Sequence, residues 1–132
     1  RWSAATVSGF HQTGSTMSNV SLTPIAEDVY AAPQLTPEAM AAAAEAGFKA
    51  VMNNRPDMEG GPEQPASAAI EAAAKAAGLV YAHLPVQGGY QSPEEIARCA
   101  ELLKTLPRPL LMFCRSGARS SRLYMQAVAL DQ

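Results

Sequence analysis

Apolar and polar positions along the chain fall into short blocks that alternate between strand-like and helix-like spacing. Val20 to Ile25 and Val29 to Ala31 read as two short strands joined near Glu27-Asp28, a hairpin at a sheet edge. Thr36-Pro37-Glu38 then opens a helix. Thr36 serves as N-cap, Pro37 takes the first helical position, Glu38 lies near the positive end of the dipole, and Gly47 closes the segment. Phe48 to Asn53 predicts a strand centred on Val51 and Met52. Arg55-Pro56-Asp57 and Gly60-Gly61-Pro62 break any regular period, so Asn54 to Gln64 is a loop. A second helix runs from about Pro65 to Ala77 with Ile70 facing inward, and Leu79 to Leu84 follows as a strand. After the loop Pro85 to Gln91, Ser92-Pro93-Glu94-Glu95 has the form of a capping box. The helix it starts carries Ile96, Cys99, Ala100 and Leu103 at three- and four-residue spacing and ends at Pro107. Pro109 to Phe113 lacks alternation altogether, which predicts a strand buried on both faces.

This alternation of helix and strand predicts an α/β domain: a mostly parallel central sheet flanked by helices. In such sheets the active site lies beyond the carboxyl ends of the strands. Three loops are therefore expected to converge on Cys114: Asn53 to Met58, Pro85 to Gln91, and the loop that follows Phe113 and contains this cysteine.

The last of these carries the chemistry. Leu110 to Phe113 delivers Cys114, followed by Arg115-Ser116-Gly117-Ala118-Arg119-Ser120-Ser121 at the start of a helix-compatible segment. A strand-loop-helix unit aims the loop's backbone N–H groups at any anion placed there. A thiol in that position loses its proton more readily, because the helix dipole, Arg115 and Arg119 all favour the thiolate. Cys99, by contrast, lies on the apolar face of its helix and is expected to pack in the core.

Composition narrows the class further. A chain of 132 residues with net charge −2 is one domain without a basic stripe, so neither nucleic acid nor a membrane is an expected partner. Alanine makes up about a fifth of the residues, which favours helices packed through small side chains. The two cysteines show no metal-ligand or Cys-x-x-Cys spacing, which points to a reducing cytoplasm. Residues 1–16 are rich in Ser, Thr and Gly and lack the apolar core of a secretory signal. They read as an appended leader, with Met17 as the native start and 17–132 as a single domain.

Cys114-Arg115-Ser116-Gly117-Ala118-Arg119 resembles the active-site loop of rhodaneses, which carry a sulfane sulfur as a cysteine persulfide. Cysteine phosphatases have a similar loop with five residues between cysteine and arginine; here there are four, and the fifth count lands on Ser120. Phe48 to Asp57, then Gly78 to Val86 with His83-Leu84-Pro85-Val86, precede the cysteine loop in an order that resembles the phosphatase-like sulfurtransferase family. That domain occurs alone or fused to persulfide dioxygenases in β-lactamase hydrolase-like proteins. The resemblance covers about Val20 to Leu130 and implies a dual-specificity-phosphatase-like fold. Relatives usually continue beyond the helix after the loop, so the resemblance also suggests truncation at the C-terminus.

The activity it implies is transfer of sulfane sulfur from thiosulfate or glutathione persulfide to a thiol or sulfite. No metal or organic cofactor is needed. Cys114 is then the nucleophile and Arg119 closes the loop and stabilises its charge. The backbone of Arg115, Ser116, Gly117, Ala118 and Ser120 holds the terminal sulfur. Arg115 attracts the anionic donor, and Ser120 caps the following helix and bonds the thiolate. Arg55 is either a second anion-binding arm or a surface ion pair with Asp57 or Glu59. His83 reads as a hydrogen-bonded strand residue, and Tyr90 and Gln91 as candidates for the pocket rim.

Two alternatives stay open. A cysteine-dependent tyrosine or dual-specificity-like phosphatase would use the same nucleophile but needs a general acid. Pro85 to Gln91, where that acid normally lies, holds no Asp or Glu, which leaves Asp57 as the substitute. A persulfide-sensing module that signals through Cys114 would need the same reactive thiol.

Overall fold

The computed structural model describes residues 21–130; the proposed leader and the residues around Met17 lie outside them. Five strands, β1 (Thr23–Ala26), β2 (Val29–Ala32), β3 (Ala50–Asn53), β4 (Val80–His83) and β5 (Leu110–Phe113), form one sheet in the order β1-β2-β5-β3-β4. All neighbours are parallel except β1 and β2, the expected edge hairpin. Among the described residues, four helices alternate with the strands: α1 (Pro37–Glu45), α2 (Ser67–Ala76), α3 (Pro93–Thr105) and α4 (Ala118–Leu130). The α/β architecture is therefore the one that the pattern of apolar positions predicts.

β5 is the centre of the sheet, and its lack of alternation has the expected cause. Leu111 and Phe113 point into one core with Met40 and Ala43 of α1 and Ile70 and Ala74 of α2. Leu110 and Met112 point into the other, with Cys99, Leu102 and Leu103 of α3 and Leu123 and Ala127 of α4. All four β5 side chains are fully buried, each worth about 1.5–3 kcal/mol of hydrophobic stabilisation. Buried on both faces and paired on both edges, β5 holds the position of whatever follows it.

Helix ends follow local chemistry with one exception. Thr36 Oγ1 accepts from Ala39 N, and Ser92 and Glu95 complete the capping box that their spacing predicts. At Gly47, where φ is 106°, the Gly47 and Phe48 N–H groups return to Ala44 and Ala43 carbonyls, so β3 begins at Ala50 instead of Phe48. The exception is α2, which starts at Ser67 instead of Pro65. Its N-cap, Ala66, has no side-chain acceptor, and Asp57 Oδ1 accepts from Ser67 N at 2.8 Å instead. A carboxylate ten residues upstream thus caps this helix, and the helix begins where that bond forms.

Candidate active site

Phe113 ends β5, and the chain turns through Cys114 to Gly117 into α4, whose first residue is Ala118. Arg119 therefore lies within the first helical turn. Gly117 takes φ 97°, which side chains rarely adopt, and a Cβ there would stand 3.4 Å from the Ala32 backbone. The loop is anchored on both flanks: Cys114 N donates to Ala32 O at 3.3 Å, and Asn54 N donates to Phe113 O at 2.8 Å.

This turn aims donors at sulfur. Gly117 N donates to Cys114 Sγ at 3.0 Å. Burial pushes the Cys114 thiol up, but the N–H and hydroxyl of Ser120 and the N–H groups of Gly117 and Ser116 outweigh it, leaving the thiol below its ordinary value. The Ser120 hydroxyl has a second claimant: Ser120 Oγ donates to Asn54 Oδ1 at 2.8 Å, while Asn54 Nδ2 is fixed on Leu84 O. One hydroxyl proton serves one acceptor at a time, so Asn54 and the thiolate compete for it. Ser120 lies inside α4 and does not cap it. Ser116 Oγ accepts from Ala118 N, the first N–H of the helix, at 3.3 Å.

Loops after β3 and β4 meet the cysteine loop at Arg119, and the contact from the β3 side comes from Glu59, just past the expected Asn53–Met58 segment. Arg119 Nη1 donates to Val86 O at 3.1 Å, from the loop after β4. Glu59, from the loop after β3, receives Arg119 Nη1 on Oε2 and Nη2 on Oε1, both at 3.1 Å. Arg55 Nε donates to the same Glu59 Oε1 at 2.8 Å, and Arg55 Nη1 to Gln34 Oε1 at 3.1 Å. Burial pushes the Glu59 carboxyl up, but the hydrogen bonds and charges of Arg119 and Arg55 hold it below the usual carboxylate range. Glu59 is thus an ionised carboxylate between two guanidinium groups.

Several expected roles change. Arg55 is 9% exposed, but its ion-pair partner Glu59 is an exposed loop residue, so the guanidinium is buried and the pair lies at the surface; the guanidinium meets Arg119 through that carboxylate. Asp57 is engaged with the start of α2 and not with Arg55. His83 Nε2 bonds Arg55 O at 2.9 Å, and Gln91 Nε2 folds back onto Gln87 O at 2.7 Å and away from any rim role. Arg115 and Ala118 of the cysteine loop are exposed, as is Tyr90. Glu59, Asn54 and the Val86 carbonyl carry structural roles here that no motif announces; the four-residue step from Arg55 to Glu59 was the one signal for the first of them. Among the described residues, no three His, Cys, Asp or Glu side chains gather as a metal would require, and no helix is long and apolar enough to cross a membrane.

The family described as the phosphatase-like domain of the β-lactamase hydrolase-like protein matches residues 21–131. A β-lactamase hydrolase-like protein of Xylella fastidiosa Temecula1 is 35% identical over 88 residues, covering 67% of this chain and 20% of the relative. The chain thus spans about a fifth of the length of the curated relatives it matches. A protein of Neisseria meningitidis Z2491, provisionally described as a phosphatase, superposes with a TM-score of 0.70 at 31% identity, covering 77% of this chain and 72% of its own. A second, from Shewanella putrefaciens CN-32 and described in the same way, gives a TM-score of 0.69 at 18% identity over 84% of this chain and 72% of its own. The names of these structures carry the phosphatase description, and none carries a sulfurtransferase one. On the family match and the shared fold, the chain belongs to the phosphatase-like domain family of the β-lactamase hydrolase-like proteins.

Proposed function

We propose that this domain transfers sulfane sulfur through a Cys114 persulfide. The reading is carried by the short loop from Cys114 to Arg119: the N–H groups of Ser116, Gly117 and, one residue past the ring, Ser120 converge on one sulfur, while Asp57 and Glu59 are both committed to other partners. The Cys114 thiolate attacks the outer sulfur of a donor such as thiosulfate. The new Cys114 S–S bond forms as the donor's own S–S bond breaks, and its electron pair leaves with sulfite. A thiolate or a second sulfite then attacks the outer sulfur and regenerates the Cys114 thiolate. Neither step needs a proton donor, because sulfite leaves the first as a stable anion and the stabilised Cys114 thiolate leaves the second. The partners of this reading are a small anionic sulfur donor and a thiol or sulfite acceptor, with a persulfide dioxygenase as the enzyme that would consume the product.

A second reading, a cysteine-dependent phosphatase, is favoured by the provisional description of the structural neighbours. It lacks a general acid: Glu59 is ionised and Asp57 caps α2. Such an enzyme would be confined to esters whose alcohols leave unprotonated, such as aryl phosphates.

One experiment separates the two. Incubated with thiosulfate, the protein is expected to gain one sulfur atom on the Cys114 peptide by mass spectrometry, and Cys114→Ser none. Aryl phosphate hydrolysis without that adduct would select the phosphatase.

A further inference from the structure

Asn54 directly follows β3, Ser120 lies in the first turn of α4, and both residues are wholly buried. The backbone of Asn54 is held on both sides: its N donates to Phe113 O at 2.8 Å, and its O accepts from Val86 N at 3.1 Å. Only one orientation of the side chain then fits. A carbonyl can only accept, so the 3.1 Å contact with Leu84 O comes from Asn54 Nδ2. That turns Asn54 Oδ1 towards Ser120 Oγ, 2.8 Å away. Asn54 Oδ1 is also acceptor-only, so this contact uses the single hydroxyl proton of Ser120.

Cys114 Sγ is the other acceptor that this hydroxyl serves. Sulfur accepts weakly when neutral and strongly when charged. A buried hydroxyl with no water to turn to is costly to leave unpaired. Asn54 therefore offers it an acceptor in those states of the site where the sulfur is a poor one.

We infer that Asn54 is a positioning residue: aimed by Leu84, its side-chain oxygen takes the Ser120 hydroxyl's hydrogen bond whenever Cys114 Sγ is uncharged and releases it when the thiolate forms. The part that concerns the persulfide rests on the sulfur-transfer reading. As the thiolate attacks the donor, the new S–S bond forms, the donor's own bond breaks with its electron pair leaving on the donor, and the charge of the cysteine passes to the outer sulfur. Sγ is then a neutral, two-bonded sulfur, and the hydroxyl turns to Asn54. When an acceptor thiolate or sulfite removes the outer sulfur, the electron pair returns to Sγ and the hydroxyl turns back. The hydrogen stays on Ser120 Oγ throughout; only its acceptor changes. Asn54 thus favours the thiol and the persulfide over the thiolate, while never touching the substrate.

The charged and titratable side chains on the surrounding loops are Arg115 and Arg119, Arg55, Asp57 and Glu59, and His83 at the end of β4. Among the described residues none of them bonds the Asn54 or Ser120 side chain, so they form a constant background to the test. Asn54→Ala is expected to move the Cys114 alkylation limb to lower pH by about half a unit and to speed alkylation at neutral pH about threefold. In a Ser120→Ala background the same substitution should change nothing. A limb that stays or rises in Asn54→Ala overturns the inference, as does an equal fall without the hydroxyl. Unaltered protein supplies a readout that no misfolding can spoil. By NMR, the Asn54 side-chain amide should shift with the midpoint of the alkylation limb and lose that response in Ser120→Ala. After persulfidation it should return to its thiol position at high pH. An amide indifferent to the ionisation of Cys114, or one that keeps its thiolate position in the persulfide, overturns the inference. If thiosulfate adds no sulfur at all, the proposed function falls, and the exchange between thiol and thiolate is still decided by the first two measurements.

Discussion

Cys99 and Cys114 are both wholly buried, yet burial does opposite things to them. On the inner face of α3, Cys99 is packed among apolar side chains, and burial alone pushes its thiol up to about 12. At the β5–α4 turn the same penalty is applied to Cys114 and is overcome by four donors from Ser116, Gly117 and Ser120. Removal from water therefore does not decide whether a thiol is reactive. What decides it is whether the backbone has been bent to supply hydrogen bonds to the charged form.

Alkylation tests this contrast most severely. At pH 8 a thiol with a pKa of about 12 is ionised in roughly one molecule in 10⁴, whereas an ordinary free thiol is ionised in about a quarter and Cys114 is shifted further towards the thiolate. Iodoacetamide should thus modify Cys114 at least about a thousandfold faster than Cys99, as read by peptide mass spectrometry. Comparable rates would dissolve the distinction. The pH dependence carries the sign: reactivity should rise as Cys114 deprotonates and reach its plateau at a lower pH than an ordinary thiol does.

A smaller effect isolates a single donor. Ser120→Ala removes the hydroxyl shared between the thiolate and Asn54, so the ionisation limb should move to higher pH. Alkylation at neutral pH should slow about fivefold, the worth of one net hydrogen bond. An unshifted limb would mean that the proton stays on Asn54 and that the backbone N–H groups act alone. The smallest change lies farthest from the thiol. Asp57→Ala should cost about 1 kcal/mol of stability in denaturant unfolding, as the loss of a helix cap does, and leave the Cys114 ionisation limb in place. If it instead abolished aryl phosphate hydrolysis without destabilising the fold, Asp57 would be the acid that the phosphatase reading lacks.

Much of this was legible along the chain because it is local. The unbroken run from Leu110 to Phe113 announces a strand covered on both faces, and the spacing from Cys114 to Arg119 announces the anion loop. Thr36 and Ser92 cap their helices from within three residues. The remainder depends on partners that are remote in sequence. Glu59 and Arg119 are 60 residues apart and Asn54 and Ser120 are 66 apart, and each pair meets only because β3 and β5 are neighbours. The start of α2 was misread for a related reason: its cap comes from Asp57, across a loop with no periodicity to reveal it.

The sheet order has a consequence for how this site comes into being. β1 pairs with β2 and β3 with β4, but β2 and β3 do not pair with each other; β5 lies between them. A chain emerging from the ribosome therefore carries two separate pairs of strands until β5 is made. The segment that closes the sheet is the same one that presents Cys114, and its pairings span most of the sequence, the kind of contact that forms slowly. Completion of the fold and assembly of the reactive thiol are one event, so a partly made chain has no anion loop with which to react.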